Sequence, residues 1–270
     1  MKKPNNLISN VEELSKGRVL CVGDVMLDRF VYGIVERVSP EAPIPVLRCV
    51  NENVMLGGAG NVARNIAGLG GRTRFISVVG NDQAGRDLII EIGKLDNLDA
   101  RLITDKARKT SIKTRFISSN QQLMRADDET IFPIDEQIKK SVLEAVEVAI
   151  GDFSAVVLAD YGKGVLSDGI AGDLIQMARL RGIPTIVDPQ GNNYDHYMGA
   201  TLVTPNRKEL SDATGLPTET TKEIISAATQ LARKSGIDAV LATRSGNGMT
   251  LVRNADNYRH FQAEAKEVFD

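Results

Sequence analysis

From Asp135 onward the sequence repeats one pattern that few folds can accommodate: a short apolar run, an amphipathic helix, then another apolar run. Helical spacing covers 135–150, 168–181, 207–214 and 221–235. The runs 155–159, 185–188, 201–204 and 239–244 are strand-length. Strands separated by helices of this length are joined by crossovers and not by hairpins. Such crossovers build a mostly parallel, twisted sheet with helices on both faces. The alternation starts earlier in the chain. A strand is expected at 18–22. A helix opened by Gly57-Gly58-Ala59-Gly60, carried by Val62, Ala63, Ile66, Ala67 and Leu69, is closed by Gly70-Gly71. A strand at 74–79 and a helix at 82–95 follow, and Asn10 with Glu13 reads as a capping pair for a short opening helix. The predicted class is α/β.

Two stretches break this rhythm. Pro40, Pro43 and Pro45 interrupt 31–54, and Ile44, Val46 and Leu47 suggest edge strands. Thr110–Ser118 alternates, Ser119-Asn120 forms a turn and Gln121–Asp127 returns, which is a hairpin pattern. Stretches 31–54 and 110–127 are expected to form a small β layer apart from the main sheet. No repeat and no linker divides the 270 residues, so they are read as a single domain.

Lys and Arg number 33 against 35 Asp and Glu, a formal net charge of -2, which argues against nucleic acid as a main partner. There is no apolar run of membrane-spanning length, and no apolar segment follows the two early lysines as a signal peptide requires. A cytoplasmic location is expected. Cys21 lies in the apolar run Val19-Leu20-Cys21-Val22 and is expected to be a buried thiol, and neither cysteine is read as a disulfide partner or nucleophile. His196 and His260 stand alone, without metal-ligand spacing.

In an open α/β sheet the ligand sits beyond the carboxyl ends of the strands. Five loops fall there: 23–28, 160–164, 188–191, 205–209 and 245–248, each rich in polar residues or glycine. Gly57-Gly58-Ala59-Gly60-Asn61 precedes a helix N-terminus, which suits either close approach of a ligand oxygen or a tight turn. Asn206 and Glu209 share a helical face and could hold Mg²⁺ through water beside a phosphate, or simply cap the helix. Asp160 and Lys163 are either site residues or a surface ion pair, and Asp28 is either a loop cap or an acceptor for two sugar hydroxyls. Lys113, Arg115 and Arg125 on the hairpin are either solvated or poised to pair a phosphate. No G-x-x-x-x-G-K-S/T and no G-x-G-x-x-G after the first strand occurs.

These residues in this order resemble the ribokinase (PfkB) family of sugar kinases along essentially the whole chain. The runs that carry the resemblance are Gly23-Asp24-Val25-Met26-Leu27-Asp28, Val38–Val46, Gly57–Ala63, Asp160–Leu166, Val187-Asp188-Pro189 and Thr204–Glu209. The S-P-E-A-P-x-P-V run, the D-Y-G-K-G-V-L run and Asn120-Gln121-Gln122 are similar to the D-glycero-D-manno-heptose-7-phosphate kinase branch. The resemblance implies a ribokinase-like sandwich with a β lid made of 31–54 and 110–127. It implies use of ATP and Mg²⁺, and a homodimer contact through the lid. It implies phosphorylation of the anomeric hydroxyl of heptose 7-phosphate to the 1,7-bisphosphate, on the route to ADP-heptose and lipopolysaccharide. The sugar side then falls to Asp28, Gly57, Gly58, Asn61, Arg125, Asp160 and Lys163. The nucleotide side falls to Asn206, Arg207, Lys208, Glu209, Thr243, Gly246 and Gly248, with Glu209 near the metal through water.

One departure stands out. The family's catalytic Asp lies in a G-A-G-D tetrad, whose glycine N–H groups also stabilise the transferring phosphoryl group. No such tetrad occurs in these residues, and Val268-Phe269-Asp270 resembles the residues just before it. The chain is therefore expected to lack its catalytic residue and to be nearly inactive alone, as an incomplete kinase domain. Two rival readings remain: another sugar or nucleoside kinase of the family, or a sugar- or nucleotide-binding fragment without catalysis.

Overall fold

The computed structural model describes residue 11 and residues 13–263, so the Asn10–Glu13 capping pair falls outside the described residues. The strands are β1 (Arg18–Gly23), β2 (Val25–Val38), β3 (Pro45–Gly58), β4 (Arg72–Gly80), β5 (Leu98–Asp105), β6 (Ser111–Ser118), β7 (Gln121–Asp128), β8 (Ala155–Ala159), β9 (Thr185–Asp188), β10 (Leu202–Val203), β11 (Val240–Thr243), β12 (Met249–Asn254) and β13 (Asn257–Phe261). The helices are α1 (Ala59–Gly68), α2 (Gln83–Ile92), α3 (Glu136–Ala149), α4 (Ile170–Leu180), α5 (Arg207–Thr214) and α6 (Thr221–Ser235).

Among the described residues the strands form two sheets. The larger has the order β13-β12-β11-β10-β9-β8-β1-β4-β5. It is parallel from β5 to β11, and β12 and β13 add an antiparallel hairpin at one edge. Alternate residues of its central strands enter opposite cores, because successive side chains of a strand point to opposite faces. Leu20, Val22, Ile76, Val156 and Leu158 pack with α3 and α4. Cys21, Phe75, Val79, Val157 and Ala159 pack with α1 and α2. Burial on both faces is why these strands read as unbroken apolar runs.

The smaller sheet has the order β3-β2-β6-β7. Its strands reach farther than 31–54 and 110–127, because β2 follows β1 after the single residue Asp24 and β3 runs directly into α1. The turn at Ser119 and Asn120 places both residues at positive φ, the geometry that matches strand twist in a tight hairpin. The lid has two unlike faces. Leu27, Leu56 and partly buried Ile112 pack into the core beside α1 and α2. One residue along, Asp28 registers with Met55 and Lys113, Lys113 with Asp127, and Phe30 with Arg115. These side chains share the opposite face, toward the strand ends. Strands β5, β12 and β13 have no counterpart in the sequence reading. Strands β5 and β13 are the two edges of the sheet and β12 lies next to one of them, where partly exposed strands mix charged with apolar residues.

Candidate functional site

The topological switch of the main sheet falls between β1 and β8, the place where an α/β sheet opens a crevice. Asp24, at the end of β1, is 1% exposed. Its Oδ2 accepts the N–H groups of Tyr161 and Lys163 at 2.8 and 3.1 Å, and its Oδ1 accepts that of Val165 at 3.0 Å. Burial pushes this carboxyl up, and the three N–H donors oppose the shift. One side chain thus fixes the loop after β8 to the end of β1. Arg108, buried against Asp105, braces the same loop by donating to the Lys163 carbonyl at 2.8 Å and the Phe132 carbonyl at 3.1 Å.

Asp28 is no loop cap. It lies within β2, and its Oδ1 receives Arg115 Nη1 at 2.6 Å. A Cβ on Gly57 would stand 2.5 Å from Asp28 Oδ2, so glycine there leaves room for the carboxylate. Gly58 has φ +55, and a Cβ on it would stand 2.5 Å from the Asp24 carbonyl, which accepts Ala59 N–H at 2.9 Å. The tight-turn reading is realised at Gly58, whereas Gly57 makes way for the Asp28 and Met26 side chains. Asn61 sits in the first turn of α1, its Oδ1 accepting Arg64 Nη2 at 2.7 Å.

Asp160 and Lys163 do not pair with each other. Positive φ at Gly162 turns the loop, and each finds another partner. Asp160 accepts the Tyr197 hydroxyl at 2.8 Å and Gly162 N–H at 2.9 Å. Lys163 Nζ reaches Glu129 at 2.7 Å. Glu129 lies 3.5 Å from Lys113, Lys113 2.8 Å from Asp127, and Asp127 2.9 Å from Arg125. Lys113, the first of these to hydrogen-bond it, and Arg125 hold the Asp127 carboxyl below the usual range. With Asp160 included, Arg64, Lys113, Arg115, Arg125 and Lys163 still outnumber Asp28, Asp127, Glu129 and Asp160 by one positive charge here, in a chain whose net charge is -2. Glu129, Asp127 and Arg64 were not singled out from the sequence. The charged run Arg125-Ala126-Asp127-Asp128-Glu129 was the available signal, and only strand pairing shows which of these residues share a face.

The opposite wall is acidic. Asp188 accepts the Tyr161 hydroxyl at 2.9 Å and the Thr204 hydroxyl at 3.3 Å. Burial pushes its carboxyl up and Asp160 adds to the rise. Asn206 and Glu209 form a reciprocal capping box: Glu209 N–H to Asn206 Oδ1 at 2.9 Å, Asn206 N–H to Glu209 Oε2 at 2.7 Å. The capping reading is realised, and it leaves Oε1 of Glu209 outside the cap. Burial, then Asp188 and Asp212, raise the Glu209 carboxyl above its usual range. Among the described residues, Asp160, Asp188 and Glu209 have no Lys or Arg at ion-pair distance.

Two adjoining clefts open here. One of about 560 Å³ is lined by Asn206, Arg207, Thr218, Thr243 and Ser245. The other, about 570 Å³, is lined by Gln190, Asn192, Lys208 and Glu209. Arg207 is tied to Glu219 and Lys208 to Asp212. Gly246 and Gly248 line neither cleft. A Cβ on Gly248 would stand 2.0 Å from the Phe261 carbonyl, so this glycine serves the packing of β13. A further concavity of about 690 Å³, on the outer side of α6, is remote from the strand ends. Cys21 is buried, which pushes its thiol up to about 12, whereas Cys49 is exposed on β3. His260 Nδ1 lies 3.0 Å from the Thr250 hydroxyl. Among the described residues no His, Cys, Asp and Glu cluster forms a metal cage, and no helix is long and apolar enough to cross a membrane.

A parallel sheet with its crevice roofed by a charged β layer is the ribokinase-like arrangement, and solved structures agree. Ribokinase from Arabidopsis thaliana, complexed with ribose and ATP, superposes with TM-score 0.64 at 19% identity, over 92% of this chain and 78% of that one. Phosphofructokinase-2 from Escherichia coli superposes with TM-score 0.70 at 22% identity, over 93% and 79%. Residues 16–270 match the pfkB family carbohydrate kinases, and the chain belongs to that family of phosphotransferases. It is 52% identical over 260 residues to the bifunctional protein HldE of Rhodospirillum rubrum, and 50% identical over 270 residues to that of Paramagnetospirillum magneticum. These alignments take in 96% and 100% of this chain but 52% and 55% of the relatives, so the chain spans about half their length.

Proposed function

We propose that this chain is the sugar-kinase part of a heptose-phosphate enzyme, transferring the γ-phosphoryl of ATP to the anomeric hydroxyl of D-glycero-D-manno-heptose 7-phosphate. Its product would be the 1,7-bisphosphate, made in the cytoplasm toward ADP-heptose and lipopolysaccharide. The observation that carries this reading is the lid face: a carboxylate, Asp28, held by Arg115 within a local excess of positive charge. A plain sugar needs the carboxylate alone; a sugar phosphate also needs the cations. Asp28, Asn61, Gly57 and Gly58 receive the polyol, with Lys163, Arg125 and Asp160 around it. On the other wall Asn206, Arg207, Lys208 and Thr243 flank the nucleotide.

Mg²⁺ fits the acidic wall only with help. The neighbouring carboxylates of Glu209 and Asp188 lack cationic partners and would hold the ion through water, with phosphate oxygens completing its shell. When bound, it neutralises charge on the phosphates. This chain's own residues orient the two substrates and keep their reacting ends at the switch between β1 and β8. The exposed Val38, Ile44 and Val50 on the lid support a second copy as partner. Without a G-A-G-D tetrad, the 270 residues are expected to release ADP at least about three orders of magnitude more slowly than a relative that carries it.

Calorimetric titration of the chain with heptose 7-phosphate, against ribose and fructose 6-phosphate, tests the assignment. Selective binding of the heptose ester is expected, weakening as salt rises. Equal binding of fructose 6-phosphate would favour another sugar kinase of the family. Failure to bind any of them, in a sample that melts cooperatively, would remove the sugar-phosphate reading.

A further inference from the structure

Asn61 and Arg64 lie three residues apart on α1, so their side chains are neighbours on one helical face. A carboxamide has two unlike ends, one accepting and one donating, and nothing intrinsic decides which faces a ligand. A guanidinium only donates. With Arg64 Nη2 at 2.7 Å from Asn61 Oδ1, the carbonyl end is taken. The NH₂ end is left for whatever occupies the crevice. Arg64 Nη1 also rests 3.8 Å from the sulfur of Met55, which registers with Asp28 on the lid, so the pair stands beside the Asp28 carboxylate. Lys113, Arg115, Arg125 and Lys163 are each matched to a carboxylate, whereas Arg64 has none among the described residues. Its hydrogen bond goes to a neutral amide that the sugar site uses.

We infer that Arg64 is a positioning residue for sugar recognition: it holds the Asn61 amide so that its NH₂ group is presented to a hydroxyl oxygen of the sugar phosphate. The inference rests on the sugar-phosphate reading above. Asp28 then accepts and Asn61 donates, a complementary pair for adjacent hydroxyls, each of which can do both.

A double-mutant cycle read by titration with heptose 7-phosphate tests it. Asn61→Ala is expected to weaken binding about tenfold or more, and Arg64→Met about fivefold to tenfold. The double variant is expected to bind no worse than Asn61→Ala alone. Arg64→Lys, which keeps a donor for Oδ1, should recover most of the loss and covers the case in which Arg64→Met folds poorly. ATP affinity and melting temperature should stay near the native values in Arg64→Lys. Additive losses, or native-like binding by Arg64→Met while Asn61→Ala binds weakly, would overturn the role of Arg64 alone. Absence of binding by the native chain, or indifference to Asn61→Ala, would overturn the sugar site and the inference with it.

Discussion

On the lid wall of the crevice every carboxylate has a cation: Asp28 has Arg115, Asp127 has Lys113 and Arg125, and Glu129 has Lys163. On the strand-end wall Asp160, Asp188 and Glu209 are held by tyrosine and threonine hydroxyls and by backbone N–H groups. The lid arrangement tolerates partial burial because its charges cancel in pairs, and the small surplus is positive. The strand-end arrangement is costly, since burial and mutual repulsion raise Asp188 and Glu209, and an added cation would offset that cost. On the proposed function the two ends would take opposite ligands: an anion on a polyol at the smaller sheet, a metal-bound nucleotide over the strand ends.

The largest expected effect comes from breaking the lid wall. Asp28→Ala removes the hydroxyl acceptor and frees Arg115. Affinity for heptose 7-phosphate should fall about 100-fold while ATP affinity holds, measured by titration of both ligands. Equal losses for both ligands would mean the two walls are not separate. A subtler break is Gly57→Ala. Its backbone conformation suits alanine, but the new methyl contests the position of Asp28 Oδ2. About a tenfold loss of sugar-phosphate affinity is expected with a nearly native melting temperature. A collapse in stability with native affinity would show that Gly57 serves only the fold.

The smallest effect sharpens the acidic wall. The folded-state carboxyl of Asp188 is raised, so the native state binds its proton more tightly than the unfolded chain does. The resulting penalty is absent below the ordinary carboxylate pKa of about 3.9 and grows as pH rises through the folded value. Asp188→Asn keeps an acceptor for the Tyr161 hydroxyl and removes the charge. It should equal or exceed the native chain in stability at neutral pH, by under about 1 kcal/mol after solvent screening, and lose that margin in acid. Urea unfolding across the pH range measures this, and a native advantage at neutral pH would contradict it.

Much of the fold was legible because it depends on period. Strands 155–159 and 185–188 and helices 207–214 and 221–235 were placed within a residue by apolar spacing and caps. Strand β5 and the β12–β13 hairpin were not, since an edge strand buries only part of itself and leaves a weak pattern. Within the site, the capping box of Asn206 and Glu209 follows from local sequence. The side-chain partners of Asp160 and Lys163, Tyr197 and Glu129, do not: each lies more than thirty residues away, on elements that meet only after folding.

The sequence by itself determined most of the alternating strands and helices of the main sheet, the presence of a small β layer apart from it and the family to which the chain belongs. These follow from side-chain period and from motifs of contiguous residues. Only the tertiary structure decided that Asp28 faces Arg115, that Lys163 reaches Glu129 instead of Asp160, and that Asn61 is held by Arg64 at the edge of the lid. Charges choose partners by distance and shared face. Parallel pairing of β2 with β6 brings residues from opposite ends of the lid to one surface, an adjacency that linear spacing does not encode.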